Sequence, residues 1–282
     1  MLHLSFTRSS VILVLGASLA IGCAKKTDQA TVDTTKTTTD TTIHATAIMI
    51  VPADSSPDFN KAKLVIIAPR EGQVLPKAND SVQVVLNVTG MDLGKPTDGD
   101  STRGVAYSKQ GSHVHVIVDE KPYMADYKNG QPLNVGVLSP GKHTIRAFPS
   151  RSYHESVKAP GAFATRTFYV GSGPAKGLKD TTGPNLKGPM LTYSRPKGTY
   201  SVAEAKKLLL DFYVTGAKLS PDDYKVAVSI DGKDMGTLAS WTPYYIMGLE
   251  PGKHAISLKL LDPKGNVVPG AFNSPTSEIA IQ

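Results

Sequence analysis

Val82-Gln83-Val84-Val85-Leu86-Asn87-Val88-Thr89-Gly90 and Leu208-Leu209-Leu210-Asp211-Phe212-Tyr213-Val214-Thr215-Gly216 carry one pattern at two places in the chain. Val82, Val84, Leu86 and Val88 alternate with other residues, as do Leu208, Leu210, Phe212 and Val214. A period of two marks a strand with one buried face. Working outward, further blocks recur in the same order. Val118-Asp119-Glu120-Lys121 returns as Ile230-Asp231-Gly232-Lys233, and Leu138-Ser139-Pro140-Gly141-Lys142-His143 as Leu249-Glu250-Pro251-Gly252-Lys253-His254. Pro160-Gly161-Ala162-Phe163 returns as Pro269-Gly270-Ala271-Phe272. Val114, Val116 and Val118 match Val226, Val228 and Ile230, and the spacing differs mainly by an insertion near 91–110 in the first copy.

Short strands punctuated by Pro-Gly and Asp-Gly turns predict an all-β fold of two tandem immunoglobulin-like β-sandwich domains, at 62–171 and 188–282. The segment between them, 172–187, is polar and rich in Gly and Pro and reads as a linker. Ser201-x-x-Glu204 has the spacing of a capping box and predicts a helical turn at 202–207.

The chain has 282 residues, of which 40% are hydrophobic and 20% charged, with a formal net charge of +7. Its basic residues are scattered, with no arginine block and nothing like a reading helix, so no nucleic-acid partner is expected. Residues 1–22 have the parts of a secretory signal: His3 and Arg8, an apolar run from Val11 to Leu19, and a small residue, Gly22, before the cut. That run is shorter than the about 20 apolar residues needed to span a bilayer.

Leu19-Ala20-Ile21-Gly22-Cys23 resembles the lipobox of bacterial lipoproteins, with Ala20 where Leu is commonest. The resemblance implies that Cys23, the only cysteine, carries a diacylglycerol and anchors the chain to a membrane of the bacterial envelope. Ala24 follows it, with no retention Asp, which favours the outer membrane. A lipidated Cys23 leaves no thiol for disulfides or zinc. Residues 23–60 read as a lipidated, Thr-rich disordered tether, with a span of about 35 Å. Ile48-Met49-Ile50-Val51 is an apolar island within it, expected to dock on the first domain.

The two copies test each other, since a residue in both serves the shared fold. His143 and His254 both follow Pro-Gly-Lys and read as turn-bonding residues, as do Asp119 and Asp231. His113 and His115 are different, because their counterparts are Lys225 and Ala227. They flank Val114 and project from the face opposite the apolar one. Two imidazoles at this spacing could share copper or zinc, with a third ligand from His154, Glu155, Asp98 or Asp100. The plainer alternative is a solvated polar face, which Lys225 in the other copy favours. Asp98-Gly99-Asp100-Ser101-Thr102 lacks the closing Glu of a calcium loop. Arg151, Tyr153, Glu155 and Lys158 belong to a segment special to copy one. They read as a structural ion-pair loop, or as a polar ligand site beside Tyr153. Trp241, Tyr244 and Tyr245 could stack on a glycan; packing within or between domains is the alternative.

The run Ser112-His113-Val114-His115-Val116-Ile117-Val118-Asp119, with Pro122-Tyr123, Pro140-Gly141-x-His143-Thr144, Glu155-Ser156-x-Lys158 and Gly161-Ala162-Phe163-Ala164, resembles an uncharacterised bacterial envelope domain. Ser152-Tyr153 stands where that domain has Pro-Trp. The resemblance covers 110–171 and implies a β-sandwich in the envelope, with no activity attached. The chain shows no nucleophile with its base and no phosphate-cradling loop. The expectation is therefore a non-catalytic envelope lipoprotein that binds a protein or glycan, or spaces another component. A copper- or zinc-binding lipoprotein is the alternative, and an envelope polymer hydrolase the least favoured.

Overall fold

A computed structural model describes residues 47–76, 81–99, 101–174 and 183–282. The signal segment 1–22, Cys23, the Thr-rich stretch to residue 46, Asp100 and linker residues 175–182 lie outside them. Residues 45–282 form one unit. The chain enters it through a short strand, β1 (Met49–Pro52). The first sandwich follows with β2 (Lys63–Ala68), β3 (Val74–Leu75), β4 (Gln83–Thr89), β5 (His113–Val118), β6 (Met124–Asp126), β7 (Pro132–Asn134), β8 (Gly141–Ser150) and β9 (Ala164–Val170). One sheet has the order β2-β4-β7 and the other β3-β9-β8-β5-β6. Val84, Leu86 and Val88 point inward between the sheets, against Val114, Val116 and Val118 in the same buried cluster.

The second sandwich repeats this layout with β10 (Met190–Arg195), β11 (Gly198–Tyr200), α1 (Val202–Ala205), β12 (Leu208–Thr215), β13 (Lys225–Ile230), β14 (Lys233–Leu238), β15 (Tyr244–Met247), β16 (Gly252–Leu261) and β17 (Thr276–Ile281). Its five-stranded sheet, β11-β17-β16-β13-β14, has the same order as its counterpart. The predicted helical turn forms, and the capping box at its start is complete: Glu204 N–H donates to Ser201 Oγ while the Glu204 carboxylate accepts from Ser201 N–H. The paired turns are duplicated as expected. Asp119 and Asp231 sit at φ 57° and 52°. Their carboxylates accept from Thr144 and Ala255 N–H, and each also meets Nδ1 of the following His, at 2.9 Å for His143 and 2.7 Å for His254.

The other sheet of the second sandwich departs from the repeat. It runs β1-β15-β12-β10, so a strand from before the first sandwich completes the second. β1 pairs antiparallel with β15, Met49 opposite Met247 and Pro52 opposite Tyr244. The apolar island therefore docks on the second sandwich, contrary to the expectation for the first. The reason is an open edge: β15 presents unpaired backbone groups that another strand can satisfy. The corresponding edge strand, β7, is only three residues long and begins with Pro132, which has no N–H to offer. Residues 47–60 are thus part of the fold and the tether reading does not hold for them. From β1 the chain crosses to the first sandwich, where Arg151 Nε donates to Pro57 O at 3.2 Å and Phe59 packs on the core.

The two sandwiches are fused along a buried seam. The outer face of β5 and β8 meets the outer face of β10 and β12. This explains why β5 is buried at every position, whereas β13, its repeat counterpart, alternates as a solvated sheet should. Ile117, Tyr123, Phe148 and Tyr213 make one apolar cluster of the seam, and Val105, Tyr153, Leu209 and Tyr245 another. Some polar groups of the seam pair across it, while Arg146 Nε and Tyr153 OH are buried without a partner among the described residues. Arg146 donates to Thr192 Oγ1 at 3.0 Å, and the Lys158 ammonium lies 2.6 Å from Asp211 Oδ1.

Candidate metal centre between the sandwiches

His113 and His115 leave β5 on its outer face, and the seam covers that face, so both are 0% exposed. A solvated polar surface is therefore not what they form. The antiparallel register sets His113 opposite Ser150, the last residue of β8. The loop that follows, 151–158, is consequently delivered directly over the two imidazoles. Its turn is held by Arg151 N–H donating to Glu155 O at 2.8 Å and His154 N–H to Arg151 O at 2.9 Å. His154 adopts φ 68°, a left-handed conformation uncommon for a residue with a Cβ. The turn that imposes it brings the ring inward, where Nδ1 lies 3.1 Å from His113 Nε2.

His115 Nε2 is also 3.1 Å from His113 Nε2. One nitrogen from each of the three rings falls within 4.8 Å of the others. This is the one group of three ligand-type side chains so placed among the described residues. Nδ1–H of His113 donates to the Gly111 carbonyl at 2.9 Å, which fixes the tautomer and leaves Nε2 as a bare lone pair. Gly111 itself has no room for a side chain: at φ 89°, a Cβ would stand 2.5 Å from the Lys95 backbone. His115 Nδ1 lies 3.1 Å from the Ser194 hydroxyl, a group that can donate or accept, so this ring is free to present Nε2. Such outer partners orient metal-binding imidazoles.

Burial pushes His113 down to about 4, with Arg195 and Lys197 adding to the effect against the opposing Gly111 bond. His115 and His154 are lowered as well, burial again being the main cause. All three are neutral at neutral pH, with lone pairs available. Tyr123 stacks on His115 with centroids 3.5 Å apart, and its hydroxyl lies 3.4 Å from His154 Nδ1. Burial raises its pKa, so it stays a phenol. The Lys197 ammonium sits 3.4 Å from the other ring centroid in this stack, that of Tyr123, and the Arg195 guanidinium 5.4 Å from it. On the far side of Tyr123 a cleft of about 680 Å³ opens between the sandwiches, bounded by Ile117, Arg146, Leu191 and Phe272.

Of the other residues singled out in the sequence, Glu155 is no ligand here: its carboxylate pairs with Arg151 at 3.0 Å and accepts from Ser56. Asp98 does not join the group, and Asp100 lies outside the described residues. Arg151 and Lys158 are held in ion pairs and Tyr153 in apolar packing. Tyr153 is buried in the seam, and Lys158 reaches Asp211 of the second sandwich. Trp241, Tyr244 and Tyr245 do not form an open stacking platform. Trp241 donates to Phe212 O and meets Tyr213 edge-on at 4.9 Å, while Tyr244 and Tyr245 are buried. Tyr244 stacks on Phe212 inside the second core, and Tyr245 lies in the seam with Val105 and Tyr153. Ser194 and Gly111, which orient the imidazoles, gave no signal in the sequence.

No family model matches the chain and no curated protein matches it. Among solved structures, it is similar to the fibronectin(III)-like modules of Clostridium thermocellum CbhA, at a TM-score of 0.26 and 13% identity over 78% of this chain and 94% of that one. The central fibronectin-III array of RIM-binding protein gives 0.23 and 12%, over 76% and 68%. Bacteroides ovatus SGBP-B of the mixed-linkage glucan utilization locus, solved with a heptasaccharide, gives 0.23 and 12%, over 78% and 47%. At TM-scores this low the likeness carries no functional argument.

Proposed function

We propose that this chain is a non-catalytic, lipid-anchored envelope protein that holds a transition-metal ion on His113, His115 and His154. The observation that carries the reading is the convergence of three imidazole nitrogens within 4.8 Å, from buried His113 and His115 and half-buried His154. Ligand nitrogens around a shared tetrahedral ion stand about 3.3 Å apart, given bonds of about 2.0–2.1 Å. The two separations of 3.1 Å, both made by His113 Nε2, need only a few tenths of an ångström of adjustment, while the third, between His115 and His154, lies within 4.8 Å and has up to about 1.5 Å to close. Copper and zinc are the ions that suit imidazole. Anchoring rests on the lipobox-like stretch before Cys23.

Metal titration of the purified, chelator-treated protein tests the site. One ion per chain is expected, with loss of at least a hundredfold in affinity in a His113→Ala/His115→Ala variant that retains its circular dichroism. Equal affinity in that variant ends the reading. A second reading, capture of a protein or glycan, draws its support from the 680 Å³ cleft. Envelope glycans that bind the wild type and not a Phe272→Ala variant would favour it.

A further inference from the structure

We infer that the histidine centre is built for a monovalent ion, copper(I), in preference to zinc(II) or copper(II). This rests on the reading of the trio as a metal site and adds the charge of its occupant.

The donors are all neutral. Three imidazoles converge, the Tyr123 phenol lies 3.4 Å from His154 Nδ1, and among the described residues no carboxylate joins them. The adjacent carboxylates are committed elsewhere, Glu155 to Arg151 and Asp211 to Lys158. Two cations stand close by instead. The Lys197 ammonium and the Arg195 guanidinium both lie over the ring of Tyr123, which itself stacks on His115. Lys197 is anchored there by donating to Tyr123 O at 2.7 Å.

Charge then decides between ions. The solvation penalty of a buried ion grows with the square of its charge, so a dication pays four times what a monocation does at equal radius. Repulsion from Lys197 and Arg195 doubles as well. Zinc sites in proteins usually offset these costs with thiolate or carboxylate ligands, or with a bound hydroxide. Among the described residues the first two are lacking, and the third has little room. The cavity beside His154, shared with Arg195 and Tyr200, holds about 10 Å³, at the lower bound for a single water. Zinc also prefers four ligands, whereas three suffice for a d¹⁰ monocation. Imidazole is a fair ligand for both metals, so softness leaves the choice to electrostatics.

The test uses the full folded chain without oxygen. Copper(I) is titrated in competition with bicinchoninate, zinc(II) in competition with a chelating dye, and copper(II) is followed by electron paramagnetic resonance. The expected result is one copper(I) per chain, bound at least a hundredfold more tightly than zinc(II) and lost in His154→Ala. Removing a neighbouring charge with Lys197→Met should then narrow the copper(I)-to-zinc(II) ratio by roughly tenfold. Zinc(II) or copper(II) bound as tightly as copper(I), through the same histidines, overturns the inference and leaves the metal site standing. Failure of every ion to bind, or binding indifferent to His154→Ala, overturns both.

Discussion

Asp211 is 0% exposed at the middle of β12, and its counterpart in the first copy is Val85. It survives burial on three donors from across the seam: Ser156 N–H at 3.1 Å, Ser156 Oγ–H at 2.9 Å and the Lys158 ammonium at 2.6 Å. Lys158→Met keeps the aliphatic stem and removes the charge. The carboxylate then retains two neutral donors and no counter-ion. Stranding one partner of a buried pair costs about 3–5 kcal/mol. The Lys158 side chain is 14% exposed, so some water reaches the pair and the lower end, about 3 kcal/mol, is expected. Adding Asp211→Val removes the stranded charge and installs the residue the first sandwich uses. The double variant should therefore recover part of the loss, leaving a coupling of about 1–3 kcal/mol. Urea unfolding followed by the fluorescence of Trp241, the sole tryptophan, reports directly, because its indole packs on Tyr213 in the seam. A Lys158→Met unfolding free energy within about 0.5 kcal/mol of wild type refutes the reasoning, as would strictly additive single variants.

Three further outcomes follow from the same packing. Gly216→Ala should cost upwards of about 2 kcal/mol, because its φ of 65° disfavours a side chain and the new Cβ would meet Gly188 O at 2.6 Å; thermal unfolding measures it, and an unchanged midpoint counts against so close an approach of the two backbones. Ile50→Asp should destabilise by roughly 2 kcal/mol or more and release β1 from β15, since Ile50 packs on the second core; hydrogen exchange should rise in Tyr244–Met247 while β9 stays protected. His254 should titrate above its ordinary value: burial pulls it down, but the bonds to the Asp231 carboxylate and the Glu250 carbonyl outweigh that. A raised folded pKa stabilises fully below about pH 6.5 and the benefit fades as pH rises through the folded value; a proton-resonance titration should show the midpoint falling in Asp231→Asn.

The inner faces of both sandwiches were legible because one rule governs them. Val84, Leu86 and Val88 repeat as Leu210, Phe212 and Val214, and the period of two needs no knowledge of the partner sheet. The doubled turns were legible for the same local reason, as His143 and His254 reach carboxylates set by a shared Asp-x-x-x turn. The outer faces needed a comparison that alternation within one strand does not make. Ile117 and Phe148 in copy one stand where copy two has Ser229 and Lys259. Leu209 and Tyr213 in copy two stand where copy one has Gln83 and Asn87. Each copy is thus apolar outside where the other is polar, and on different strands, which is the mark of two faces that cover each other. His154 was named among several possible third ligands, but only the register of His113 against Ser150 selects it.

The departures from the repeat share a destination. The insertion near 91–110 brings Val105 onto Leu209, the loop 151–158 brings Lys158 to Asp211, and β1 reaches across to β15. All three fasten one sandwich to the other, and the histidines lie inside the joint they make. His113, His115 and His154 belong to the first sandwich, yet the Ser194 hydroxyl that orients His115 and the cations Arg195 and Lys197 belong to the second. Separating the sandwiches would admit water to the imidazoles and take the two cations away from them. On the proposed reading of the trio as a metal site, ion binding and docking of the sandwiches form one equilibrium: an ion at about 1,000 times its dissociation constant would add about 4 kcal/mol to the folded pair. The ion should accordingly raise the unfolding temperature of the whole unit in a single transition. A rise confined to the first sandwich, with the second unfolding where it did before, would mean that the seam plays no part in holding the ion.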